Sequence, residues 1–83
     1  MATNAYVLVN VDSARTEAVV SRLRLIPGAS VQEVLGPYAV VVELTGDTTG
    51  DITGVVRSQI RSIQGVTSAV ICYWIEGLYE EGA

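Results

Sequence analysis

Three stretches of this chain are apolar at consecutive positions rather than at alternate ones: Val7-Leu8-Val9, Ala39-Val40-Val41-Val42 and Ala69-Val70-Ile71-Cys72. Each lies in a run rich in β-branched residues, the composition of strands. An antiparallel sheet with one face in water alternates apolar and polar residues along each strand. These strands do not alternate, so the sheet they build needs a cover on both faces.

The rest of the chain supplies only one of those covers. The pattern predicts strands over residues 6–11, 31–35, 39–44 and 67–75. Asp12 and Ser13 are helix caps, and Glu17 suits the positive end of the helix that follows. Val19, Val20, Leu23 and Ile26 recur at helical spacing until Pro27-Gly28 stops them. Gly36-Pro37 is a turn signal, and residues 46–50 read as a loop. Asp51 or Thr49 is the expected cap of a second helix. Its buried face is Ile52, Val55, Val56, Ile60 and Ile63, with Gly54 loosening its first turn and Gly65 ending it. The halves echo one another: Leu23-Arg24-Leu25-Ile26-Pro27-Gly28 aligns with Ile60-Arg61-Ser62-Ile63-Gln64-Gly65. The order is β-α-β-β-α-β. It predicts an α+β, ferredoxin-like fold, a four-stranded antiparallel sheet with two helices on one face.

Size sharpens the need for a second cover. Residues 1–83 make one small domain, with 77–83 an acidic tail expected to fray. Domains this short commonly need a staple. The single cysteine, Cys72, excludes an internal disulfide, and the lack of histidine leaves no zinc set. Self-association remains. Parity places Val7, Val9, Val40, Val42 and Leu44 under the helices. It places Tyr6, Leu8, Ala39 and Val41 on the open face with Asn10 and Glu43. An open apolar face on a small protein marks an interaction surface. A homodimer packed sheet to sheet through Tyr6, Leu8, Val41 and Ile71 would cover it. A tail returning over the sheet through Leu78 and Tyr79 is the alternative.

Charge and residue inventory exclude several functions. Five arginines, no lysine and nine carboxylates give a net charge of −4, against direct nucleic-acid binding. No apolar run nears the roughly 20 residues that span a bilayer, and Met1-Ala2-Thr3-Asn4 has no charged segment typical of a leader. A cytoplasmic location is the default expectation. Without histidine no Ser-His-Asp or Cys-His arrangement is possible, and no nucleotide fingerprint occurs. Cys72 reads as an inert small hydrophobe in mid-strand. Asp47 and Asp51 match no calcium loop, and capping is their expected job. Trp74, Tyr73 and Tyr79 read as core or interface. No catalytic residue, metal or cofactor is expected, and an enzyme is disfavoured.

Four segments together carry a resemblance: Ala5-Tyr6-Val7-Leu8-Val9-Asn10-Val11, Ile26-Pro27-Gly28, Val34-Leu35-Gly36-Pro37-Tyr38 and Ile60-Arg61-Ser62-Ile63-Gln64-Gly65-Val66. In order and spacing, over roughly residues 4–76, the chain resembles the C-terminal effector-binding (RAM) domain of Lrp/AsnC-family transcriptional regulators. The resemblance implies a βαββαβ fold whose sheets pair into dimers that assemble into octamers or similar rings. It implies a stand-alone version, because the family's helix-turn-helix has no counterpart here. Such a module senses a small molecule or co-assembles with a DNA-binding regulator.

The resemblance also implies an amino-acid site at contacts between dimers. Gly36, Pro37, Tyr38 and Ala39 would form the turn before the third strand, and Ser68 the start of the last. Ala39 stands where the family usually has Asp, the acid that pairs with an effector's ammonium. Ala69, Val70 and Ile71 stand in place of the family's threonines. Two other readings share the strand–helix order. A cofactor-free ferredoxin-like dimeric enzyme would need Asn10, Glu43 and Trp74 to converge between sheet and helices. An ACT-type amino-acid-binding module usually has a glycine after its first strand, where this chain has Asn10-Val11-Asp12-Ser13.

Overall fold

The structure, a computed structural model, describes residues 2–74. The elements run β1 (Thr3–Val11), a 3₁₀ turn (Ser13–Arg15), α1 (Thr16–Leu23), β2 (Ser30–Glu33), β3 (Val40–Gly46), α2 (Thr49–Val55) and β4 (Val66–Tyr73). The strands form one sheet in the order β2-β3-β1-β4, each neighbour antiparallel. This is the ferredoxin-like βαββαβ arrangement predicted from the strand and helix pattern.

The helix boundaries follow from local chemistry. The Asp12 carboxylate accepts from the Ala14 amide at 3.0 Å and starts the 3₁₀ turn. The second helix is capped differently from expectation. Thr48, not Thr49 or Asp51, is the cap: its hydroxyl accepts from the Asp51 amide at 3.1 Å while the Asp51 carboxylate accepts from the Thr48 amide at 3.1 Å. That reciprocal pair is a capping box, with Asp51 in its third-position role. Gly54 opens on solvent inside a regular turn of α2. The irregularity comes after it, as a wide π-turn over Val56–Ile60 closed by the Arg61 amide donating to the Val56 carbonyl at 2.8 Å.

The internal echo has a backbone basis. Gly28 and Gly65, at matching places after the two helices, both take positive φ, 78° and 108°. At Gly65 a Cβ would lie 2.9 Å from the Arg15 Cβ, so the position admits no side chain. The Gly65 carbonyl accepts from the Asp12 amide at 2.8 Å, joining the start of the first helical segment to the entry of β4.

The core lies between sheet and helices. Val7, Val9, Val40, Val42 and Leu44 are buried there as their parity predicts, against Val19, Val20 and Leu23 of α1 and Ile52, Val56 and Ile60 of the second helix. Strand ends differ by a few residues from expectation. β1 begins earlier, at Thr3, because it pairs with β3 as far as Gly46. β2 stops at Glu33, before Val34 and Leu35. A bulge interrupts the β1–β4 ladder: Asn10 faces Ser68 but Val11 faces Val66, so Thr67 is the extra residue. At the other end the Trp74 amide donates to the Asn4 carbonyl at 3.4 Å, so the start of β1 and the end of β4 lie side by side. Ile75, Leu78, Tyr79 and the acidic tail lie outside the described residues.

Candidate functional site

The register decides which side chains share the open face. Tyr6 pairs with Glu43 and Cys72, and Leu8 with Val41 and Val70. Directly paired residues point to the same side of a sheet. Tyr6, Leu8, Val41, Val70 and Cys72 therefore share the face turned from the helices. One interface expectation is corrected. Ile71 pairs with Val7, which is fully buried, and packs against the core. The register of β4 against β1, unbroken from Ser68 to Tyr73, sets which of its residues face the helices. The open-face position on β4 belongs to Val70.

Among the described residues nothing covers the apolar centre of that face. Tyr6 and Val70 are each 42% exposed. The Tyr6 ring lies against Trp74, with centroids 4.8 Å apart and planes tilted by 36°. Cys72 is exposed on the same face rather than sequestered in the core. Tyr73 points the other way, its hydroxyl 3.0 Å from the Thr53 hydroxyl and donating to the Thr49 carbonyl at 3.2 Å. Asn10 and Glu43 share the open face too. The three residues that an enzymatic pocket under the helices would need are thus not between sheet and helices.

The turn before β3 is organised by Asn10. Its side-chain amide donates to the Pro37 carbonyl at 3.1 Å, and its carbonyl oxygen accepts from the Ala39 amide at 3.2 Å. The Ala39 amide is shared with the Val9 carbonyl at 3.1 Å, and the Val34 amide donates to the Ala39 carbonyl at 3.0 Å. Gly36 and Pro37 are exposed, while Tyr38 and Ala39 are half-buried. Across β1, Asn10 pairs with Ser68. The structure therefore brings the Gly36–Ala39 turn and Ser68 to one end of the sheet, with Asn10 between them. The role of Asn10 was not foreseen in sequence reasoning. Its signal was a lone amide in an apolar strand, a residue type that bonds the backbone of turns.

Beside Ser68 the free edge of β4 carries a wide-mouthed bay of about 340 Å³ lined by Arg61, Val66, Thr67, Ser68 and Ala69. The Arg61 guanidinium donates to the Ala69 carbonyl at 2.8 Å. Among the described residues no group of three His, Cys, Asp or Glu side chains could hold a metal ion, and no helix is long and apolar enough to cross a membrane.

No protein-family model matches the sequence, and no curated protein matches it. Solved structures do. The chain is similar to TTHA0845 from Thermus thermophilus, with 24% identity over 88% of this chain and 92% of that one and a TM-score of 0.84. It is similar to AsnC of E. coli, with 8% identity over 98% of this chain and 56% of that one and a TM-score of 0.84. It is also similar to a transcriptional regulator of Neisseria meningitidis solved in complex with L-Met, with 15% identity over 94% of this chain and 53% of that one and a TM-score of 0.82. The chain thus spans about half the length of the two regulators and nearly all of the Thermus protein. At these identities the likeness establishes the fold.

Proposed function

We propose that this chain is a cytoplasmic effector-binding and oligomerisation module of the Lrp/AsnC type. The observation that carries this reading is the open face of the sheet. Tyr6, Leu8, Val41 and Val70 present an apolar surface that no described residue covers. Packing two such sheets face to face removes that surface from water on both copies. The likeness in fold to regulators, one of them solved with L-Met, supports placing the chain in this class.

In this reading, dimers assemble further into a ring, and a small amino-acid-type ligand sits where dimers meet. Gly36, Pro37, Tyr38 and Ala39 supply one wall of that site and Ser68 another. Asn10 holds the turn in shape through its two hydrogen bonds. Ligand binding that stabilises one assembly over another would modulate transcription through co-assembly with a DNA-binding partner.

Light scattering coupled to size exclusion, with and without a panel of amino acids, tests the proposal. A dimer or larger species is expected, and some amino acids should raise the melting temperature. Hundredfold excess over Kd adds about 2.7 kcal/mol to the folded state. A monomer at all concentrations overturns the assembly, and a flat response to the whole panel at millimolar concentration overturns the sensor.

A further inference from the structure

Arg61 is held in place before any ligand arrives. Its guanidinium donates to the Ala69 carbonyl on the free edge of β4 at 2.8 Å, and among the described residues it has no other partner. That single bond uses one of five donors and leaves the rest of the fork unspent. Thr67 is the bulged residue of the same strand, freed from the ladder, and bulges re-aim side chains at sites. Thr67, Ser68 and Ala69 all line the bay. In an antiparallel strand the N–H and C=O of one residue point the same way, so the Ala69 amide also faces outward from the sheet edge. The bay thus offers a fixed cation and hydroxyl and amide donors. Among the described residues no carboxylate lines it, so none there would form an ion pair with an ammonium group. Val66 and Ala69 add apolar wall.

We infer that this bay binds the carboxylate of a small organic acid through Arg61, Thr67 and Ser68, and that the ligand needs no amino group. The inference rests on the ligand-module reading above and names its ligand class. A forked guanidinium matches a carboxylate in two-point geometry, which a lysine in its place would not.

The intact chain is titrated by calorimetry and by amide NMR shifts with probes of one carbon skeleton: 4-methyl-2-oxopentanoate, leucine and 3-methylbutan-1-amine. Inorganic phosphate is a further arm. The oxo acid and leucine are both expected to bind and to move the Thr67, Ser68 and Ala69 amides, and the amine is not. Arg61→Gln should weaken the oxo acid about tenfold or more with the melting temperature retained. If that variant fails to fold, Arg61→Lys carries the test. It keeps the charge without the fork and should still weaken binding severalfold. Leucine binding without the oxo acid, binding of the amine, or undiminished binding to the Arg61 variants overturns this inference while the ligand-module reading stands. Phosphate binding with no carboxylate bound overturns the ligand class. Binding of no probe overturns this inference, and the ligand-module reading is then decided by the full amino-acid panel and the assembly measurement above.

Discussion

Two glycines of this chain respond to substitution in opposite directions. Gly65 holds φ at 108° with the Arg15 side chain 2.9 Å from where a Cβ would stand. Gly65→Ala should cost about 1–3 kcal/mol, from left-handed backbone strain and the forced retreat of Arg15. Gly54 lies in α2 with no atom within 4 Å of its would-be Cβ. Gly54→Ala should stabilise by roughly 0.5–1 kcal/mol through helix propensity. Urea unfolding of both variants reads the contrast. Asn10→Ala tests the turn: Ala39 keeps its bond to the Val9 carbonyl but loses its side-chain partner, and the Pro37 carbonyl loses its donor. Faster hydrogen exchange at Ala39 with the core amides unchanged is the expected result. The positive φ of Gly28 and Gly65 was legible in the sequence as two helix-ending glycines in an internal repeat. The Asn10 bonds were not, because they join residues 27 and 29 positions apart.

At the scale of elements, the second helix shows what pattern reading reaches and where it stops. Ile52, Val56 and Ile60 follow at spacings of four, and in an ideal helix each step of four drifts about 40° past a full turn. Two such steps would carry Ile60 well off the buried face. The wide turn at Val56–Ile60 slackens the winding, and Ile60 stays fully buried. Spacing identified the apolar face, while the backbone change that keeps it in register is a response to packing. The cap is similar. Thr48, Thr49 and Asp51 are all competent by type, and only the entry direction of the chain from β3 selects Thr48. Thr48→Ala removes its half of the capping box and should cost about 1 kcal/mol, with Thr49→Ala near neutral. Thermal melts of the pair decide it. On the edge strand, register places Ile71 beside the buried Val7 and gives the open-face position to Val70, a pairing that no local spacing on β4 reveals.

For the whole molecule, the two-sided apolar character of β1, β3 and β4 is the decisive property, and it was legible from the start. Helices cover Val7, Val9, Val40 and Val42, and a second copy is the proposed cover for Leu8 and Val41. Val41→Asp would place a charge at the centre of that paired face, opposite Leu8. It should abolish the dimer and leave an aggregating or unfolded chain, read by light scattering and circular dichroism. A dimer that survives this substitution would refute sheet-to-sheet pairing. What the sequence left open is the architecture of the far end of the sheet. There Asn10, Ser68 and the Pro37–Ala39 turn meet through register alone, and no local spacing signals it.

The bond from the Trp74 amide to the Asn4 carbonyl has a practical corollary. It gathers both ends of the described chain at one pole, while the turn and the Arg61 bay occupy the opposite pole, six to seven strand residues or about 20 Å away. An affinity handle, a fluorophore or an entire fused module spliced ahead of Ala2 therefore starts at the pole away from the turn and the bay.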